Sequence, residues 1–166
     1  MPGYRVLVAD TAHAKFFELD SPGGSLRHME SLANPYTGKH DRDLGADAPG
    51  RVMSRQGDGA RRTALQPRRA PKQHAMEQFA RILAERLTTD AHAHPHDRFV
   101  LVIAPRFLSE VRERLPDMVR QRVIRELKRD LVDMPRLELQ TRVATAIRPR
   151  IKAPPPWAST PLRRSA

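Results

Sequence analysis

No cysteine occurs anywhere in the chain, which excludes a disulfide framework and thiol chemistry and suits a reducing cytoplasm. Aromatic residues are scarce at 5%, and apolar residues reach only 39% of 166 positions, against 15 prolines. One modest core is expected, with part of the chain left outside it. No apolar run has the length of a membrane-spanning helix, so no membrane insertion is expected. The opening Met1-Pro2-Gly3-Tyr4-Arg5 leads into a few apolar residues with no cleavage-like site, so no signal peptide is expected and the expected location is cytoplasmic. A phosphate-cradling GxxxxGK[ST], a GxGxxG after a strand and a serine nucleophile signature are all missing, and no cofactor is expected.

What the chain has in excess is positive charge, +11 net, and it is unevenly placed. Residues 52–74 carry Arg55, Arg61, Arg62, Arg68, Arg69 and Lys72 against Asp58, and residues 148–166 carry five cations and no acid. Each segment contributes +5, leaving about +1 for everything else. The basicity therefore belongs to two segments expected to lie outside the core, a pattern that suits binding to a polyanion. Solubilising arms would have the same composition.

The rest of the chain reads as an α/β domain. Tyr4 to Ala9 and Phe99 to Ala104 are apolar on both pleat faces, as central strands covered on both sides must be. His13 to Leu19 is a second strand, and Ser21-Pro22-Gly23-Gly24 is turn chemistry. Leu26 to Ala33 is a more polar third strand, suited to an edge. Met76, Phe79, Ala80, Leu83 and Leu87 recur at helical spacing after Pro71, with Glu77–Arg81 and Arg81–Glu85 as expected ion pairs. Phe107 to Leu115 predicts a short helix stopped by Pro116, and a helix from Pro135 to about Ile147 closes the fold. Residues 118–131 are ambiguous, because Val119, Val123, Leu127 and Leu131 suit one helix, while a helix to Gln121 and a strand from Arg122 to Leu127 also fits. A right-handed crossover places the fourth strand parallel to the first. The expected fold is a three-layer, five-stranded mixed sheet of order 3-2-1-4-5, ribonuclease-H-like in layout. Residues 1–147 form the expected domain, with a long basic loop over 35–70 inside it, and 148–166 a disordered Pro/Arg-rich tail.

Candidate chemistry is concentrated in that loop. Within it, His40, Arg42, Asp43, Asp47, Gly50 and Arg51 surround Leu44 and the Pro49-Gly50 turn, and are read as a loop base. A self-closing loop would pair Arg42 and Arg51 with Asp43 and Asp47. A presented arm needs such a fixed base, so both readings hold together. His92, His94 and His96 invite a metal reading, yet an exposed connection explains them better and no metal site is expected. Asp10, Asp43, Asp47 and Asp130 could cluster around a divalent ion only if the loop folds back; caps and loop ion pairs account for them equally. Pro154-Pro155-Pro156-Trp157 holds the only tryptophan and could dock in a protein partner's groove.

Four segments carry a family likeness: RVLVADTAHAKFFEL, HDRDLGADAPGR, MEQFARILAERL, and RFVLVIAPRFLSEVRERL with a following RDL. Over residues 4–147 the chain resembles the bacterial host-attachment protein family, most specifically in the loop motif and in Ala104, Pro105, Phe107, Leu108 and Arg112. That family is similar to the middle domain of archaeal and eukaryotic class-one peptide-chain release factors, where the corresponding segment carries a Gly-Gly-Gln tip that helps water attack peptidyl-tRNA. This chain has no Gly-Gly-Gln; its nearest local match is Arg55-Gln56-Gly57-Asp58-Gly59. The resemblance favours the fifth strand. It implies a partner in structured RNA, the ribosome or tRNA, with Arg55, Arg61, Arg62, Arg68 and Arg69 contacting phosphate. Two alternatives are a hydrolase of peptidyl-tRNA or another RNA ester, with Gln56 positioning water, and an interaction protein acting directly or indirectly in attachment.

Overall fold

A computed structural model describes residues 2–37 and 69–148, with Arg69 and Ala70 as backbone only. Five strands, β1 (Tyr4–Ala9), β2 (His13–Leu19), β3 (Arg27–Ala33), β4 (Arg98–Ile103) and β5 (Val123–Leu127), form one sheet of order β3-β2-β1-β4-β5. β1 is antiparallel to β2 and parallel to β4; β3 is antiparallel to β2 and β5 parallel to β4. The helices described are α1 (Arg69–Ala93), α2 (Pro105–Arg114), α3 (Asp117–Arg120) and α4 (Arg136–Ile147). None of them is long and apolar enough to cross a membrane.

The alternation of β1 and β4 divides the core in two. Leu7, Ala9, Phe99, Leu101 and Ile103 face α1, α2 and α3, together with Ala14 and Phe16 of β2. Val6, Val8, Val100 and Val102 face the other way, under α4, with Phe17, Leu19 and Leu26. Both central strands are therefore buried on both faces, as their unbroken apolar sequence requires. On the first face Phe79 of α1 stacks on Phe107 of α2 at 5.7 Å between ring centroids, both fully buried.

Element ends differ from expectation for local reasons. α1 begins at Arg69, two residues before Pro71, because the first-turn N–H groups have no intrahelical partner and proline forfeits nothing there. β3 omits Leu26, whose N–H donates to Gln140 Oε1 of α4 and not to the sheet ladder. β4 stops at Ile103, because the Ala104 carbonyl accepts the Leu108 N–H and opens α2. Among the described residues the ion pair within α1 is Arg86–Asp90, in place of the expected Glu77–Arg81 and Arg81–Glu85. Arg86 also binds Glu30 of β3 at 2.7 Å and lies over the Phe16 ring, which fastens the helix to the edge strand. The Glu30 hydrogen bond raises the Arg86 pKa against the opposing effect of burial.

Residues 117–127 resolve as helix and strand. Val119 is buried under α1 and α2, while β5 takes the free edge of β4. The four-residue spacing of Val119, Val123, Leu127 and Leu131 imitates one helix, but the open edge of β4 offers a ladder that a helix would leave empty. At the other margin β3 carries a bulge at Met29, opposite Phe16 and Phe17. In the hairpin between β2 and β3 the Gly24 N–H closes on the Ser21 carbonyl, and a Cβ on Gly24 would lie 3.1 Å from Ser21 Oγ.

Candidate functional site

β1, β3, β4 and β5 all end at one margin of the sheet, where α1 and α2 begin. The chain leaves β1 toward β2 on one side, and leaves neighbouring β4 toward β5 on the other. Open α/β sheets bind ligands at the carboxyl ends of parallel strands where connections diverge in this way. The chain leaves β3 and enters α1 at this margin, and the residues in between hold most of the candidate chemistry of the sequence.

Asn34 sits at the root of that insertion and is buried, 4% exposed. Its Nδ2 donates to the Thr11 carbonyl at 2.8 Å and to the Ala75 carbonyl of α1 at 3.2 Å. Its Oδ1 accepts the Tyr36 N–H at 2.9 Å, and its own N–H donates to the Ala12 carbonyl at 2.7 Å. Thr37 Oγ1 donates to the Asn34 carbonyl, and the Tyr36 ring meets His74 of α1 edge-on, 6.4 Å between centroids. The chain thus departs from β3 and returns into α1 across one pair of side-chain contacts.

Next to it, Asp10 Oδ1 accepts the N–H groups of Ala12 and His13 at 2.8 and 2.6 Å and shapes the turn between β1 and β2. Both bonds are local, so Asp10 is engaged as a turn former. Asp130 plays a weaker version of that role toward the Val132 N–H at 3.4 Å. Near the start of α1, Gln73 donates to Glu77 and to Glu110 of α2 and accepts from Arg106, joining the first two turns of each helix. Among the described residues no group of three or more His, Cys, Asp or Glu could hold a metal ion.

The opposite margin holds an electrostatic cluster of its own. Arg5, near the start of β1, places Nε 2.9 Å from Asp97 Oδ2 and a terminal nitrogen 3.4 Å from Glu18. Asp97 Oδ1 accepts the Gly3 N–H at 2.9 Å, and His94 Nδ1 lies 4.0 Å from Oδ2. Burial pushes the Asp97 carboxyl up, but the Arg5 and Gly3 hydrogen bonds and the charges of Arg5 and His94 outweigh it and hold its pKa below the ordinary value. Arg122 spans the end of α1, donating to the carbonyls of Ala91, His94 and Asp97 while lying 5.0 Å over the Phe99 ring. These arginines hold the fold together. A shallow groove of about 560 Å³ runs between α1 and α2, lined by Arg81, Ala84, Glu85, Thr88, Thr89 and Arg114. Its threonine hydroxyls bond back to their own helix and Arg114 binds Glu110.

The sequence-predicted site divides sharply. His40, Arg42, Asp43, Asp47, Gly50, Arg51, Arg55, Gln56, Arg61, Arg62 and Arg68 lie outside the described residues, as do Pro154 to Trp157. Arg69 is placed at the first position of α1, without a described side chain. His92, His94 and His96 are exposed at and just after the end of α1. The motif Ala104, Pro105, Phe107, Leu108 and Arg112 is structural: Ala104 and Pro105 open α2, Phe107 and Leu108 are buried, and Arg112 grips Glu126 of β5. Sequence reasoning missed Asn34. The signal available was Asn34-Pro35 directly after a strand, a pair that favours a side-chain-capped turn.

A family model described as "Protein required for attachment to host cells" matches residues 5–143, from β1 to late in α4. No curated protein matches the chain.

Proposed function

The chain belongs to this host-attachment family, and from that premise we propose that it binds structured RNA, ribosomal or transfer, through the basic residues inserted between β3 and α1. The observation that carries the proposal is positional. The most cationic internal stretch of the sequence connects β3 to α1, and the described ends of that connection lie at the carboxyl margin of the sheet, beside the divergence of β1 and β4, tied by the Asn34 contacts. Arg55, Arg61, Arg62, Arg68 and Arg69 supply the phosphate contacts, for which the planar guanidinium fork is well matched. His40, Arg42, Asp43, Asp47, Gly50 and Arg51 form the base from which they are offered.

The scaffold on this reading is a ribonuclease-H-like, release-factor-middle-domain-like sheet, and the role is one in translation quality control or rescue in the cytoplasm. The sheet order and the parallel β1–β4 pair support that scaffold. On this reading binding needs no metal; Asp10 and Asp130 each accept N–H groups of their own turns. The tie to attachment is then indirect, through synthesis of adhesion factors.

Co-sedimentation with ribosomes, together with crosslinking in cells and sequencing of the bound RNA, tests the proposal. Recovery of ribosomal or transfer RNA above a charge-matched control is expected. A protein that stays in the supernatant at low salt and crosslinks to no RNA would overturn it. Peptide release from stalled complexes decides whether Gln56 positions water: a Gln56→Ala variant as active as the parent, or a parent with no activity, removes the hydrolase reading. The family's description favours a second reading, direct adhesion, and detection of the chain on the cell surface or in the secreted fraction would favour it.

A further inference from the structure

We infer that Asn34 is a positioning residue, a side-chain clasp that fixes where the inserted segment leaves β3 and re-enters α1; its consequence for binding rests on the RNA reading above. Each polar atom of the residue is committed. The two Nδ2 protons are divided between Thr11, in the turn after β1, and Ala75, in the second turn of α1. Oδ1 holds the Tyr36 N–H, and the backbone carbonyl is taken by Thr37. Three parts of the fold that are remote in sequence meet on one buried amide: the β1–β2 turn, the end of β3 and the start of α1.

Asn34 holds the two sides of the insertion together, and its hydrogen bonds are directional. An apolar contact would allow the two ends to slide; an amide that donates to carbonyls on both sides and accepts from the outgoing chain fixes their separation and orientation. The Tyr36–His74 ring contact adds a second rung immediately outside it. Fixing the separation of the two ends limits the conformations open to the chain that joins them, and so lowers the entropy cost of bringing its cations onto several phosphates of a folded RNA. Loss of the clasp should raise that cost and weaken binding.

Asn34→Asp is the informative change, since it keeps the shape, removes both donors and sets a carboxylate against the carbonyls of Thr11 and Ala75. Asn34→Ala serves as a second variant should the aspartate not fold. In the full chain, well below the melting temperature of each variant, hydrogen exchange should accelerate at least tenfold at Tyr36 and in the first two turns of α1, and stay unchanged in β1 and β4. Affinity for a purified tRNA mixture should fall about tenfold, with a shallower dependence on salt. Because the chain has no native cysteine, Tyr36→Cys and His74→Cys can be joined by a short bis-maleimide, and that bridge should restore the affinity lost in the Asn34→Asp background.

Exchange that is unchanged, or accelerated uniformly through the sheet, overturns the clasp. Selective exchange with unaltered tRNA affinity and salt slope overturns its positioning role. If the parent binds no tRNA or ribosome, the RNA reading fails while the exchange measurement still decides the clasp.

Discussion

Replacing Asp97 by asparagine should cost about 2–3 kcal/mol of stability at neutral pH, and the cost should shrink in acid. Asp97 accepts Arg5 Nε on one oxygen and the Gly3 N–H on the other, both at 2.9 Å. An asparagine has one accepting oxygen, so one donor is left without a partner, and Arg5 keeps only Glu18 at 3.4 Å. Removing one member of a buried pair costs about 3–5 kcal/mol; the 10% and 14% side-chain exposure of Arg5 and Asp97 brings the figure to the lower side. The pH dependence has a definite sign. The folded pKa of Asp97 is depressed, so its stabilisation is complete above the unfolded value of about 3.9 and is lost as pH falls through the folded value. Urea unfolding of parent and variant from pH 7 down to the acid limit of folding measures the difference directly. A gap below 1 kcal/mol at pH 7, or one that widens as pH falls below 4, would refute this account of the Arg5–Asp97 pair.

Two further substitutions probe the packing that carries the site. Phe79→Ala removes a fully buried ring stacked on Phe107 and should lower stability by about 3–5 kcal/mol in denaturant titration; a loss under 1.5 kcal/mol would mean that α1 is not packed on α2 as described. Gln140→Ala strips the acceptor from the Leu26 N–H where α4 meets the β2–β3 hairpin and should cost about 1–3 kcal/mol, with exchange of the Leu26 amide accelerated; an unchanged amide would contradict that contact.

Sheet order was legible in the sequence because two runs, YRVLVA and FVLVIA, are apolar on both faces and only neighbours at a sheet centre can be. The polar third strand had one place left, the edge. Residues 117–127 were less legible. Val119 and Val123 pack against the same core, one from α3 and the other from β5, so their four-residue spacing does not separate one helix from helix plus strand; the deciding factor was the open edge of β4, which no local pattern encodes. The expected pairs on α1 failed for a similar reason: Arg86 binds Glu30, 56 positions earlier in the chain, and Asp90, four positions later. Charge counting located the basic stretch but not the Asn34 clasp, since a buried amide acting on carbonyls leaves no trace in composition. The histidines of HAHPH show the converse case: close spacing in sequence left them exposed near the end of α1, with His94 directed toward Asp97.

The central claim is that guanidinium groups inserted between β3 and α1 meet the phosphates of an RNA. The most direct measurement is the salt dependence of tRNA or ribosome affinity for the parent and for a variant with Arg55, Arg61, Arg62, Arg68 and Arg69 replaced by alanine. Each lost phosphate contact should flatten the slope of log affinity against log salt by about 0.7–0.9. The variant should therefore bind more weakly at low salt and respond to salt several-fold less steeply. Equal slopes for the two proteins, or a parent whose affinity ignores salt, would contradict the account.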